Sequence, residues 1–539
     1  MIELNEKPAH QCDDFKWDIP SSFNFAEDVV DYWAEKNDNL CLIWENSNGE
    51  KKRYTYSEMS TLTKRLAWSF QKSGIKKGDR VLVVLPRIPE WQIAVVAALR
   101  IGAVPIPCIE MLTADEIAYR VDHAGAKAIV CRAQHIENID AGLKNIDLRF
   151  SVGSQEGWVN INDCLDQTKE AQAVPVHAED PVLLYYTSGS TGYPKGVLHS
   201  ARGLYSWRFS ARYWLDVKPG DCIWCTADTG WSKAGTSILF GPWSEGGTSF
   251  FYDGPFDPKE RLRLLSENKV TIYCAPATEL NRVVQEVISN YDISALRRTV
   301  SSGEAMSPTI ADKWQKASGL SVAEAYGQTE TLMTALTLTN IDVRVGSMGV
   351  SAPGTELSII NDNGLELPIN EVGHIALKLP NPQMMIGYWK EPERLSDAII
   401  KGKEYEWFVT GDLGKKDADG YFWYEGRSDD VINSAGYRIG PTEVENAILK
   451  HESVLDCAAV ASPDASRGEV VKAFIVLREG ITPSEKLTSA IQNFVKKVAS
   501  PYKYPRRIEY RPSLPKGPTG KILRRSLRDE EFDRLKDEK

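Results

Sequence analysis

The feature that most constrains this chain is the alternation over residues 80–107. Arg80-Val-Leu-Val-Val-Leu is a buried-strand pattern, Glu90 to Arg100 an amphipathic helix, and Ala103-Val-Pro-Ile-Pro the next strand. The same rhythm returns at Lys127-Ala-Ile-Val, at Val182-Leu-Leu-Tyr-Tyr, and at Val270-Thr-Ile-Tyr followed by a helix from Ala277 to Ile288. Apolar strands separated by helices of about a dozen residues predict βαβ units and largely parallel sheet. Over residues 346–425 the pattern changes to short strands set off by Pro, Gly and Asn-Asp-Asn-Gly turns, a β-rich subdomain. The polar stretch Gly426-Arg-Ser-Asp-Asp430 then precedes a segment with its own strands at Cys457–Ala461 and Val470–Leu477 and a helix over Ser484–Val498. A chain of 539 residues exceeds what one core supports. The expectation is an α/β protein: an N-terminal body over residues 1–427, with mixed βαβ sheets and a β-rich subdomain, and a small mobile α+β lid over residues 428–539.

Bulk properties exclude several classes. A formal charge of −10 leaves no basic surplus for counterion release, so nucleic acid is not an expected partner. No apolar run of about 18 residues is available to span a membrane. The start, Met1-Ile-Glu-Leu-Asn-Glu-Lys, lacks a secretory pattern, and the nine scattered cysteines fit reduced thiols, so a cytoplasmic location is expected. Cys222-Ile-Trp-Cys225 has C-x-x-C form but lies in an apolar run with no second Cys/His pair, which favours buried, inert cysteines over zinc or redox chemistry. There are no coiled-coil heptads, and a homodimer is left open.

Residues Tyr186 to Gly196 read Y-T-S-G-S-T-G-Y-P-K-G, directly after an apolar run. Gly189 and Gly192 let backbone N–H groups turn toward an anion, Thr187, Ser188, Ser190 and Thr191 add hydroxyl donors, and Lys195 adds charge. That is the composition of a polyphosphate cradle, although the spacing is not that of a Walker A loop. The alternative is an ordinary Gly/Ser turn.

Further blocks follow. Ser301-Ser-Gly-Glu-Ala305 and Glu324-Ala-Tyr-Gly-Gln-Thr-Glu330 combine a strand-end glycine, Gly303, with the aromatic face of Tyr326. Thr329 and Glu330 set a hydroxyl beside a carboxylate, suited to phosphate and Mg²⁺. Asp412 follows a tight Thr-Gly turn in Trp407-Phe-Val-Thr-Gly-Asp-Leu413. In Asn433-Ser-Ala-Gly-Tyr-Arg-Ile-Gly-Pro-Thr-Glu443, Thr442 is the expected N-cap of a helix, with Glu445 in the capping-box position. Leu514-Pro-Lys-Gly-Pro-Thr-Gly-Lys521 places Lys521 at a loop tip, with Lys516 as the competing lysine.

Together, in this order and spacing, the blocks resemble the adenylate-forming superfamily of acyl-CoA synthetases, peptide-synthetase adenylation domains and luciferases, over about residues 25–528. The resemblance implies ATP, Mg²⁺ and CoA as cofactors or cosubstrates and a small carboxylic acid as substrate. It assigns the ATP phosphates to the loop from Thr187 to Lys195. It assigns adenine, α-phosphate and metal to Gly303, Glu304, Ala305, Glu324, Ala325, Tyr326, Gly327 and Thr329, with Glu330 on the metal. Asp412 would bind ribose, Arg427 would contact the nucleotide and Asp429 would be the hinge of the lid. Ser434, Gly436 and Tyr437 would line the pantetheine tunnel, Arg438 would lie near phosphate, and Lys521 would act on the reacting carboxylate. Thr187, Glu330 and Lys521 are the expected catalytic residues.

Asp221-Cys-Ile-Trp-Cys-Thr-Ala-Asp-Thr-Gly-Trp231 resembles the acetyl- and medium-chain acyl-CoA synthetase branch, and together with Gly436-Tyr-Arg-Ile-Gly-Pro441 the medium-chain branch is the closer match. Acetyl-CoA synthetases carry a tryptophan where this chain has Gly327, so the glycine is expected to open an acyl pocket walled by Trp231 and Gly303. The implied reaction converts a short- or medium-chain acid to acyl-adenylate and then acyl-CoA, releasing pyrophosphate and AMP. Alternatives are a ligase for aryl or sulfur-substituted acids, a silent adenylate or acyl sensor, and a luciferase-like oxygenase. The sequence runs about 18 residues past Lys521 with no carrier domain, which weighs against a peptide-synthetase module.

Overall fold

The computed structural model describes residues 15–187, 194–304, 306–430, 432–434, 437–464, 468–499, 503–517 and 522–537. Contacts divide the chain into two units: residues 1–345, 349–355 and 380–397 form one, and residues 346–348, 356–379 and 398–539 the other. The sequence boundary at 427/428 falls inside the second unit, because the β-rich strands group with the residues that follow them.

The first unit carries three sheets. One is wholly parallel, in the order Val104–Cys108, Arg80–Val84, Ala128–Arg132, Leu148–Val152, Val159–Asn160. A second runs Lys51–Thr55, Leu40–Asn46, Thr248–Asp253, Cys222–Cys225, Ile272–Cys274, Arg298–Ser302, Val322–Gln328, Leu332–Leu336, parallel throughout except for the antiparallel pairs at its two ends. The near-continuous apolar strands are buried on both faces, as parallel sheet requires. The helix Pro89–Arg100 is buried on every side except at Glu90, not amphipathic as expected. Its one internal charge, Arg100, is satisfied by both carboxylate oxygens of Asp31 at 2.8 Å. The helix starting at Ala277 ends at Val283, short of the expected Ile288.

The strand Pro181–Thr187 does not belong to the parallel rhythm. It forms an antiparallel hairpin with Lys195–Ser200, and Gly387–Tyr388 adds a third strand. The physical reason is loop length: a parallel crossover needs a dozen or more residues, and only residues 188–194 separate these strands. In the second strand order, Cys222 and Cys225 stand three apart on one strand and so face opposite cores. The eight described cysteines are all free and buried, as the sequence favoured, while Cys12 lies outside the described residues.

The second unit holds an antiparallel sheet of Leu357–Ile360, Gly373–Lys378, Glu406–Lys416 and Phe422–Arg427, flanked by Ile399–Lys401. It also holds a sheet in the order Tyr437–Ile439, Ile432–Ser434, Gly468–Leu477, Val454–Asp464, with Arg507–Tyr510 parallel to Gly468–Leu477. The helix Pro441–Ile448 is capped by Gly440 with Pro441 in its first turn, and no side chain caps it, which corrects the Thr442–Glu445 capping box. Glu445 is instead buried, bound to Arg524 at 2.6 and 2.8 Å and accepting from Ala459 N at 2.9 Å. A carboxylate that neutralises a guanidinium is not available to close a cap.

Candidate active site

The hairpin register sets Thr187 opposite Lys195. Thr187 Oγ1 is buried and has no hydrogen-bond partner among the described residues, a donor left over at the mouth of the Gly/Ser loop. Ser188, Gly189, Ser190, Thr191 and Gly192 lie outside the described residues.

Lys195 reaches Glu330, on the turn after the strand Val322–Gln328. Its Nζ donates to Glu330 Oε1 at 2.5 Å and to Tyr388 Oη at 3.2 Å. Tyr388 Oη in turn donates to Glu330 Oε1 at 3.0 Å, closing a triangle. Glu330 is 6% exposed, so its charge is matched by a lysine rather than by solvent. Both sequence-predicted residues are thus brought together, and Tyr388 is the third member that sequence reasoning missed. It comes from a two-residue strand with no periodic signal to mark it.

The strand Lys195–Ser200 also carries His199, which is fully buried and donates from Nε2 to Thr329 O at 2.7 Å. Burial pulls its pKa down to about 4, so it is neutral near pH 7. Thr329 Oγ1 meets Ser232 Oγ at 3.0 Å. A strand and a helical segment therefore fix the residues on either side of the Thr329–Glu330 peptide. Glu324 is buried and accepts from Met306 N at 3.0 Å, and Tyr326 and Ala325 are buried in the same strand.

Gly303 ends the strand Arg298–Ser302 with φ +92° and has open space where a Cβ would stand. Glu304 beside it accepts from Thr278 N at 2.7 Å and from Thr278 Oγ1 at 2.9 Å, a contact the sequence did not announce. Ala305 lies outside the described residues. Trp231 is half-buried and lines a cleft with Ile109, Leu112, Arg120 and Tyr186.

Gly327 behaves otherwise than expected. A Cβ there would lie 1.9 Å from Leu332 O and 2.7 Å from Met333 Cα. The hairpin between Val322–Gln328 and Leu332–Leu336 shifts register between Tyr326 and Gly327, and the two backbones close on the glycine. The close approach of the two strands thus by itself demands glycine at this position.

In the second unit, Asp412 and Arg427 are cross-strand partners. Asp412 is 4% exposed and accepts from Arg427 Nη1 at 3.1 Å, while its N–H bonds Thr410 Oγ1 at 3.2 Å. Gly411 has φ +74° and a Cβ there would stand 3.2 Å from Arg427 Nη2, which explains the tight Thr-Gly-Asp turn. Asp429 lies in the single 3₁₀ turn Ser428–Asp430. Ser434 pairs with Tyr437, and Asn433 with Arg438, in a hairpin whose loop residues Ala435 and Gly436 lie outside the described residues. Lys521 also lies outside them. Lys516 and Ile522 form an antiparallel bridge, and Leu523 N donates to Pro515 O at 2.9 Å. Lys516 itself is engaged by Asp456 at 2.8 Å.

The chain matches the AMP-binding enzyme family over residues 30–389 and the AMP-binding enzyme C-terminal domain over residues 443–521. It is 38% identical to the mitochondrial acyl-coenzyme A synthetase ACSM3 of Homo sapiens, over 96% of this chain and 91% of that protein. It is 37% identical to the uncharacterized acyl-CoA ligase YtcI of Bacillus subtilis (strain 168), over 95% of this chain and 97% of that protein. An anthranilate CoA ligase solved with anthranoyl-AMP superposes with TM-score 0.85 at 27% identity, covering 96% of this chain and 99% of that one. The expectation of a cytoplasmic location is overturned here, because the ACSM3, ACSM4 and ACSM5 relatives are mitochondrial. Free, buried thiols report only a reducing environment and do not discriminate between compartments that share one. Among the described residues no helix is long and apolar enough to cross a membrane. On the strength of both domain matches and of relatives aligned along nearly its whole length, the chain belongs to the adenylate-forming AMP-binding enzyme family.

Proposed function

We propose that the acid activated by this ATP-dependent acid–CoA ligase is a short- or medium-chain carboxylic acid, and that the Lys195–Glu330–Tyr388 triangle is the core of the phosphate and metal site. The observation that carries the reading is the triangle itself: a buried carboxylate and a lysine held together at the base of the hydroxyl-rich hairpin. The short- or medium-chain assignment is supported by the Trp224–Trp231 and Gly436–Pro441 segments. The aryl-acid alternative is favoured by the anthranilate ligase and by a benzoate CoA ligase from Burkholderia xenovorans LB400, but at 27% and 26% identity rather than 38%.

In the first half-reaction a carboxylate oxygen attacks the α-phosphorus of ATP, and the bond to the β-phosphate bridging oxygen breaks, giving acyl-adenylate and pyrophosphate. Thr187 and Lys195 hold the leaving phosphates. Glu330 is an oxygen donor suited to Mg²⁺, which takes one or two carboxylates together with substrate phosphates, so the residues present fit that ion. Bound at Glu330, the ion would supply neutralisation of phosphate charge, while Lys195 serves the phosphates from the same hairpin. Asp412 accepts the ribose hydroxyls, Arg427 contacts the nucleotide, and Lys521 stabilises the charge gathered around the α-phosphorus. In the second half-reaction, after rotation about Asp429, the CoA thiol attacks the acyl carbonyl and AMP leaves. Ser434, Gly436, Tyr437 and Arg438 are the CoA-side residues. Gly303 and Trp231 remain the candidate acyl-pocket walls, supported by the open space at Gly303 and the cleft at Trp231.

The test is acid-dependent AMP release with and without CoA, over acetate, butyrate, 2-methylbutyrate, 3-methylthiopropionate, octanoate and benzoate. CoA-dependent turnover is expected to peak among acids of about four to eight carbons. A maximum on acetate or benzoate refutes the chain-length assignment. Lys521→Ala is expected to abolish pyrophosphate release by about a hundredfold or more.

A further inference from the structure

One helix touches one strand of the small sheet that carries Lys195 and Tyr388, and the residues that flank the other two. The helix Ala114–Ala124 is set at its start by a Thr113–Glu116 capping box and ended by Gly125 at φ 61°. Tyr119 and His123, four apart, share one helix face and stack at 5.2 Å with 11° between their rings. Their polar tips reach opposite ends of the Gly/Ser segment. Tyr119 Oη donates to Pro194 O at 3.0 Å, just before Lys195. His123 Nδ1 meets Tyr186 Oη at 2.8 Å, just before Thr187. Burial holds the Tyr186 phenol protonated and His123 below its ordinary pKa, so the two share one hydrogen bond between neutral groups. The residue after the third strand is tied as well: Trp389 Nε1 donates to His123 O at 3.0 Å while Trp389 N donates to Gly196 O at 2.7 Å.

We infer that Tyr119 and His123 are positioning residues for adenylation: together they set the separation and aim of Thr187 and Lys195, and hence the grip on the β- and γ-phosphates of ATP. The inference deepens the phosphate-site reading above and rests on it. Neither side chain is asked to touch the nucleotide. Tyr119 holds the backbone on the Lys195 side and His123 the side chain on the Thr187 side. The stacked pair makes the two holds one rigid unit, mounted on a helix whose own ends are capped. A hairpin without this brace would keep its ladder and the Lys195–Glu330 contact but lose the two ties that aim its open end, where a hydroxyl and an ammonium must bind one polyphosphate together.

The test compares binding of α,β-methylene-ATP and of AMP to full-length protein, for wild type, Tyr119→Phe, Tyr186→Phe, His123→Leu and His123→Asn, alongside pyrophosphate-exchange KM values for ATP and for the acid. Tyr119→Phe and Tyr186→Phe each remove one hydroxyl, and each is expected to weaken the ATP analogue by about 3- to 10-fold. AMP affinity and the KM for the acid are expected to hold, because only the β- and γ-phosphates lie on the braced hairpin. His123→Leu is expected to do the same, and His123→Asn, which keeps a polar amide able to share a hydrogen bond near Nδ1, to recover most of the loss. Equal weakening of ATP analogue and AMP, or unchanged ATP-analogue affinity in all three deletions, overturns the inference. Lys195→Ala is the control: if it too leaves the ratio of the two affinities unchanged, it is the phosphate-site reading that fails.

Discussion

His199 ties acid stability to the geometry of the candidate active site. Its ring is fully buried, edge-on to Trp207 at 5.7 Å, with Nε2 spent on Thr329 O and Nδ1 without a partner among the described residues. Burial is the leading cause that lowers its pKa from 6.5 to about 4. A base whose folded pKa is depressed contributes stability that is present above its unfolded pKa and is lost as the pH falls toward the folded one. The window is therefore pH 6.5 down to about 4. The whole difference is worth about 3 kcal/mol, of which about 2 kcal/mol is lost between about pH 7.5 and pH 5.

The assay is urea denaturation followed by the fluorescence of the buried tryptophans of the first unit, Trp207 and Trp214 among them. It is run at about pH 7.5 and pH 5 for wild type and for His199→Gln, which keeps a donor for Thr329 O but does not titrate. His123 and His135 are also lowered by burial and contribute in the same direction, so the quantity to read is the difference between the two proteins. Wild type is expected to lose about 2 kcal/mol more than His199→Gln on acidification. Equal losses would mean that His199 is not held neutral by its surroundings, and the reasoning would fall.

Gly327→Ala is expected to destabilise the first unit by about 1–3 kcal/mol, read as a drop in thermal midpoint, because its Cβ would meet Leu332 O at 1.9 Å. A stable Gly327→Ala protein with a shifted chain-length preference would restore the pocket explanation. Glu445→Gln leaves Arg524 without its counter-charge and is expected to cost the second unit about 3 kcal/mol, measured by hydrogen exchange of the Val454–Asp464 and Gly468–Leu477 strands. Pairing it with Arg524→Met should recover part of that loss, and an additive double variant would show that the two side chains act independently.

Local chemistry made the strands, their burial and the functional blocks legible, since apolar runs and glycine-rich turns act over a few residues. What escaped was set by partners distant in sequence. Val182–Tyr186 carries the same apolar signal whether its neighbour is parallel or antiparallel, and only the short return to Lys195 makes it a hairpin. Glu445 has capping-box spacing, but Arg524, 79 residues away, claims its carboxylate. Gly327 was legible as a special position, but not that the backbone of Leu332 fills the direction its Cβ would take. The helix Pro89–Arg100 showed polar residues at its two ends, and Asp31 supplies the charge that lets Arg100 stay inside.

The sequence alone determined the class of chemistry, through the resemblance that its blocks, in their order and spacing, bear to the adenylate-forming family. It also determined that the chain would build parallel sheet, since strands apolar on both faces must be covered on both faces. Tertiary structure alone decided which groups act together. Lys195, Glu330 and Tyr388 are separated by 135 and 58 residues and become one triangle only when three strands and a turn converge. His199 becomes a neutral brace only because packing removes its water. Residue type sets what a group can do; the distance to a partner and the exclusion of solvent, which no local pattern encodes, set what it does here.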